Sequence, residues 1–98
     1  MTLVRENGHG TITIAESVLL QVVTRAAEAV PGVRVRRKRS VDVESRVVRL
    51  ELTARRGEPL VPLAKRVQEE VAAALATMCG LEPSRVDVAI EDVEDGGE

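Results

Sequence analysis

His9 is the single histidine of the 98-residue chain and Cys79 its single cysteine. These are the residue types of a thiol–imidazole couple, in which the imidazole takes the thiol proton and a third group orients the base. The spacing does not assemble one. His9 lies between Gly8 and Gly10 in a glycine-rich segment, and Cys79 falls on the last turn of a helical stripe, where a lone thiol packs as a small hydrophobe. One Cys and one His also fall short of the roughly four N or S ligands that structural zinc requires. Among the carboxylates, Glu69 and Glu70 project outward from a helix, while Asp92, Glu94 and Asp95 belong to an acidic tail. That tail lacks the central Gly and closing Glu of a calcium loop. Neither GxxxxGK[ST] nor GxGxxG occurs. The residues therefore name no catalytic, metal or cofactor site, and the chain reads as non-enzymatic.

The sharpest local feature is basic: Arg34, Arg36, Arg37, Lys38 and Arg39. Such a run can hold phosphates of nucleic acid or anionic lipid, each contact adding about 1 kcal/mol at a membrane surface. Against this, no GxxG clamp is present, no aromatic ring is available for stacking, and acids nearby can neutralise the run. A solvated or ion-paired strand end is the plainer reading. An anion- or partner-binding patch is the alternative, and it would be indifferent to base sequence.

Composition narrows the classes further. The chain has 44% apolar residues, 31% charged residues and no Phe, Tyr or Trp, which excludes base stacking on rings and aromatic cages for quaternary amines. The net charge is -2, with 14 Lys plus Arg against 16 Asp plus Glu, so no global field favours a polyanion. Residues 1–50 carry 9 basic and 5 acidic side chains (+4) and residues 51–98 carry 5 and 11 (-6), a polarity that can steer partners or favour head-to-tail association. One cysteine cannot form an internal disulfide, which fits a reducing compartment. No stretch approaches the ~20 apolar residues of a membrane span, and Met1 to Gly10 has no apolar core for secretion, so a cytoplasmic location is expected.

These residues must be positioned by short alternating elements. Met1 to Asn7 and the Gly8–His9–Gly10 stretch read as a loose lead-in over residues 1–9. Thr11 to Ile14 then alternates as a short strand. Val18, Leu19, Val22, Val23, Ala26 and Ala29 recur at spacings of three and four, an amphipathic helix from Glu16 to Val30 that Pro31 and Gly32 terminate. Val33 and Val35, then Val41 and Val43, resume period two, and Glu44 to Arg46 form a turn. Val48, Leu50, Leu52 and Ala54 oppose Arg49, Glu51, Thr53 and Arg55, giving one dry and one wet face. A second helix spans about Leu60 to Cys79, with a stripe of Leu60, Leu63, Ala64, Val67, Val71, Ala74, Leu75 and Met78 and with Gly80 as its cap. Val86, Val88 and Ile90 make the last strand before a frayed acidic tail over residues 94–98. The expected fold is a single α+β domain over residues 1–98, of order βαββαβ. Two amphipathic helices would pack on one face of an antiparallel or mixed four-stranded sheet.

In this order, the residues resemble the alkaline-shock-protein family of bacterial stress-response proteins. Gly10 to Ile14 and Val18, then Pro31, Gly32 and Val33 at the helix exit, carry the first half of the likeness. Gly57, the segment Leu63, Ala64, Val67, Gln68, Val71, then Met78, Gly80, Leu81 and the closing Val86, Asp87, Val88, Ile90, Val93 carry the second. The likeness spans roughly residues 10–93. Ala15 departs from it where Ser is typical, Asp87 where Asn is usual, and the run from Arg36 to Arg39 is more basic than the family's pattern. The resemblance implies a small cytoplasmic, non-enzymatic protein of the alkaline or general stress response and cell-envelope homeostasis. It also implies protein partners, which for some members include a small membrane-anchor protein.

The sequence thus points to a protein-interaction or scaffold module, with no cofactor. The alternative is a small sequence-nonspecific nucleic-acid-binding domain using the edge Arg34 to Arg39, which the acidic balance disfavours. Homo-oligomerisation has its own candidate surface, Ala72, Ala73 and Ala76, small residues on the second helix away from its main stripe. They would let another element approach closely, or they serve simply as good helix formers.

Overall fold

The computed structural model describes residues 2–95. Its element order is β1 (Leu3–Asn7), β2 (Gly10–Ile14), α1 (Glu16–Glu28), β3 (Val33–Asp42), β4 (Val47–Arg55), α2 (Leu60–Ala74) and β5 (Arg85–Glu94), with a π-helical segment, Leu75–Cys79, continuing α2. The fold is α+β, with two helices and five strands in two sheets.

Two expectations about the sheet are overturned. The lead-in is not loose: Leu3–Asn7 pairs antiparallel with Gly10–Ile14, register Leu3 to Ile14 and Asn7 to Gly10. Gly8 and His9 form the two-residue loop between the strands, and Gly10 leaves it at φ 136°, a value that glycine accepts without strain. The Asn7 carboxamide accepts the His9 backbone N–H at 2.7 Å and closes the turn. β2 pairs with β1 and lies outside the main sheet. That sheet therefore has three strands, β3–β4–β5, not four.

In the main sheet, β3 pairs antiparallel with β4. The β4–α2–β5 crossover makes β5 parallel to β4, so the sheet is mixed. Asp42 Oδ1 accepts the Glu44 and Ser45 N–H groups in the β3–β4 turn, as the polar turn residues require. Ser84 fastens the start of β5 to that turn, its N–H donating to the Arg46 carbonyl at 2.7 Å and its hydroxyl to the Ser45 carbonyl at 2.7 Å.

Period two in β4 places Val48, Leu50, Leu52 and Ala54 in the core at 2% exposure or less. Leu19, Val22, Val23 and Ala27 of α1, and Leu63, Val67 and Val71 of α2, join them in one cluster with Leu3 of the hairpin. α1 packs on β3 and α2, and α2 packs on β5. Pro31 and Gly32 do terminate α1: Gly32 turns the chain at φ 88°, and its carbonyl accepts the Arg55 N–H at 2.8 Å.

The second helix departs from expectation at its end. After Ala74 the backbone widens into a π-helical turn, so Cys79 comes round to the core at 6% exposure while Met78 stands 69% exposed. The stripe that included Met78 assumed an uninterrupted α period. Gly80 closes the segment at φ 67°, a left-handed value, and the Leu81 N–H returns to the Leu75 carbonyl at 3.1 Å, burying Leu81 as the cap arrangement demands. At the other end of the chain, β5 continues through Glu94, which corrects the start of the frayed tail; residues 96–98 of that expected tail lie outside the described residues.

Candidate functional site

The thiol and imidazole do not meet in a catalytic arrangement. His9 occupies the exposed hairpin tip, where its backbone N–H bonds the Asn7 side chain. Cys79 is buried at the end of the π-helical segment, and burial pushes its thiol pKa up, away from the thiolate that a nucleophile requires. No three His, Cys, Asp or Glu side chains among the described residues are grouped to hold a metal ion.

The basic run is placed on β3 and is split by an irregularity. Pairing with β4 is regular at Val35 opposite Leu52 and resumes at Arg39 opposite Leu50. Arg36, Arg37 and Lys38 therefore bulge from the strand opposite Glu51 alone. Arg34 is ion-paired, its guanidinium 3.9 Å from Glu94 across an exposed gap, an interaction of small energetic weight. Arg36 donates to the Thr53 hydroxyl at 3.4 Å and Arg39 to the Arg37 carbonyl at 3.3 Å. Among the described residues no carboxylate lies within 4.0 Å of Arg36, Arg37, Lys38 or Arg39. The ion-paired reading thus holds for Arg34 only. The other four cations are exposed, with no carboxylate of the described chain against them.

The opposite edge of the sheet is acidic. β3 carries five basic residues and one acidic, whereas β5 carries Arg85 against Asp87, Glu91, Asp92 and Glu94. Asp87 is neutralised by Arg85 at 3.0 Å and by Arg49 at 3.6 Å, and Asp95, just past β5, is bound by Arg56. Glu91 and Asp92 have no cation within salt-bridge distance among the described residues. Glu91 is the extra residue of a small bulge, since Ile90 pairs with Leu52 and Asp92 with Thr53.

Beside β5 runs a groove of about 410 Å³, which the sequence did not reveal. One wall is the first turns of α2, with Leu60, Val61, Ala64 and Lys65; the other is Val88 and Ile90 of β5. Gln68 bounds it and anchors the two walls, its Nε2 donating to the Val86 carbonyl at 2.9 Å. Leu60 and Val61 are 40% and 67% exposed, unusual for adjacent aliphatics. The available signal was Val61, an aliphatic residue at the helix start that lies off the stripe of Leu60, Leu63, Ala64 and Val67.

Ala72 and Ala76 are half-buried and Ala73 exposed, so the small-residue surface offers one open side chain. No helix among the described residues is long and apolar enough to cross a membrane. In comparisons with protein-family models, curated proteins and solved structures, nothing matches the chain.

Proposed function

We propose that the chain is a non-enzymatic protein-interaction module. The observation that carries this reading is the sheet itself: both edges are unpaired, and they are opposite in charge. Among the described residues, β3 ends the sheet with four cations that no carboxylate faces, and β5 ends it with Glu91 and Asp92, which no cation faces, and an apolar groove alongside. Free strand edges beside apolar surface are surfaces for pairing with other chains. Burial raises the pKa of the Cys79 thiol, and His9 stands at the exposed hairpin tip, so neither is set up as the nucleophile or base of a shared site. The setting, a bacterial alkaline or envelope stress response, comes from the family resemblance alone, as does a small membrane-anchor protein as partner.

The test is affinity capture from a bacterial lysate at physiological salt, with light scattering on the purified chain. A stoichiometric partner, or self-association, supports the module. A chain that stays monomeric and retains nothing contradicts it.

A second reading is favoured by one observation, the four unpaired cations on and beside the β3 bulge: a sequence-nonspecific nucleic-acid contact through Arg36 to Arg39. Gel retardation at low salt that fades steeply as salt rises would support it, because each phosphate contact releases a counterion. No retardation at low salt removes it.

A further inference from the structure

Resting on the interaction-module reading, we infer that the β5 edge and the α2 groove together take an extended peptide segment, added as a fourth strand beside β5, whose side chains alternate apolar and basic.

The two edges of the sheet differ in how they are guarded. Natural sheets blunt their edges with bulges and exposed charge, above all cationic charge. β3 has both, an expanded bulge carrying Arg36, Arg37 and Lys38. From Arg85 to Ile90, β5 has neither bulge nor proline, and its one Arg is tied to Asp87. That stretch is a regular, unpaired template. A strand laid along it would turn every second side chain toward α2, because strand side chains alternate between faces. There it would meet Leu60, Val61, Ala64, Val88 and Ile90, so those positions call for aliphatic residues. The intervening side chains would point to the open face of the sheet. At the far end of the template they would reach Glu91 and Asp92, which no cation of the described chain faces, although Asp92 Oδ1 accepts the Val93 N–H. Those positions call for Arg or Lys. Lys65 on the groove wall disfavours a cation on the helix side and so fixes which face of the ligand is apolar.

The probe is a capped eight-residue peptide of alternating Val and Arg, with alternating Val and Glu as its charge-reversed counterpart. Backbone amide shifts of the isotope-labelled chain are followed by NMR during titration. The expected result is saturable shifts at Val86 to Asp92 and at Val61 and Ala64. Val61→Ser should weaken binding roughly tenfold, because a hydroxymethyl group buries less apolar area against the ligand than the isopropyl group it replaces. Reversing both charges, Glu91→Lys with Asp92→Lys, should reverse the preference between the two peptides. Both sites are exposed, so the variants should keep the wild-type spectrum elsewhere.

Shifts centred on Arg36 to Arg39, equal binding of the two peptides, or no shifts at all would overturn the assignment. So would light scattering showing a dimer whose β5 amides are protected by a second copy. If the chain captures a partner from lysate while β5 stays unperturbed by that partner and by the peptide, the interaction module stands and this site falls. If the peptide binds at β5 but lysate yields no partner, the site stands and the module reading loses its support.

Discussion

The π-helical turn makes Leu75 and Met78 unequal, although three residues apart on a continuous α-helix they would share the core face. Leu75 is 0% exposed and Met78 69% exposed. Truncating a buried Leu to Ala removes its transfer energy and leaves a cavity, costing about 2 to 5 kcal/mol. For Leu75, enclosed by α1 and by its own helix, roughly 3 kcal/mol is expected, a large share of the about 5 to 15 kcal/mol of a small domain. In a chain of 98 residues this lowers the melting temperature by roughly 12 to 24 °C. Met78→Ala should stay within about 0.5 kcal/mol of the parent, as exposed substitutions do. With no aromatic residue to report by fluorescence, the assay is urea unfolding followed by far-ultraviolet circular dichroism. Leu75→Ala should lower the midpoint at unchanged slope. A cost of about 2 kcal/mol or more for Met78→Ala would refute the turn and restore the regular α stripe.

Ala15 caps α1 without a side-chain bond, so Ala15→Ser should stabilise the chain by about 1 kcal/mol in the same urea assay. Cys79 has its thiol pKa raised by burial, so the fold favours the neutral thiol. Its stabilising contribution is therefore complete below the unfolded-state pKa and is lost as pH rises through the folded-state value; urea midpoints from about pH 8 upward should fall more for the parent than for Cys79→Ala. Iodoacetamide should likewise label native Cys79 more slowly than the urea-unfolded chain at the same pH, since it must reach a buried thiol. The Arg5 guanidinium bonds the Gly80 carbonyl and ties the hairpin to the end of the π-helical segment. Arg5→Ala should cost less than about 1 kcal/mol globally yet raise amide exchange selectively in β1 and β2.

How far the sequence spoke depends on what each element buries. β4 was legible because Val48, Leu50, Leu52 and Ala54 are all buried in period two, although Thr53, expected on the wet face, is buried as well. β1 was not, because only Leu3 of its five residues is buried; Val4, Arg5, Glu6 and Asn7 carry no half-buried rhythm. The cap at Gly80 was visible in residue type, whereas the π turn before it is a shift of backbone bonding that no side-chain pattern marks. In the basic run, the residues were obvious and their separation from carboxylates was not, since that depends on the bulge opposite Glu51. The groove was least legible. It exists because α2 carries the chain over to a parallel edge strand, so that Leu60 and Val61 come beside Val88 and Ile90, residues distant in sequence.

The most direct test of the claim that partners dock along β5 is hydrogen–deuterium exchange on the full chain, alone and bound to the protein it captures from lysate. Bound partner should slow exchange along β5, from Arg85 to Glu94, and across the first turns of α2, leaving the β1–β2 tip unchanged. Protection gained instead at Arg36 to Arg39, or nowhere in the sheet, would contradict it.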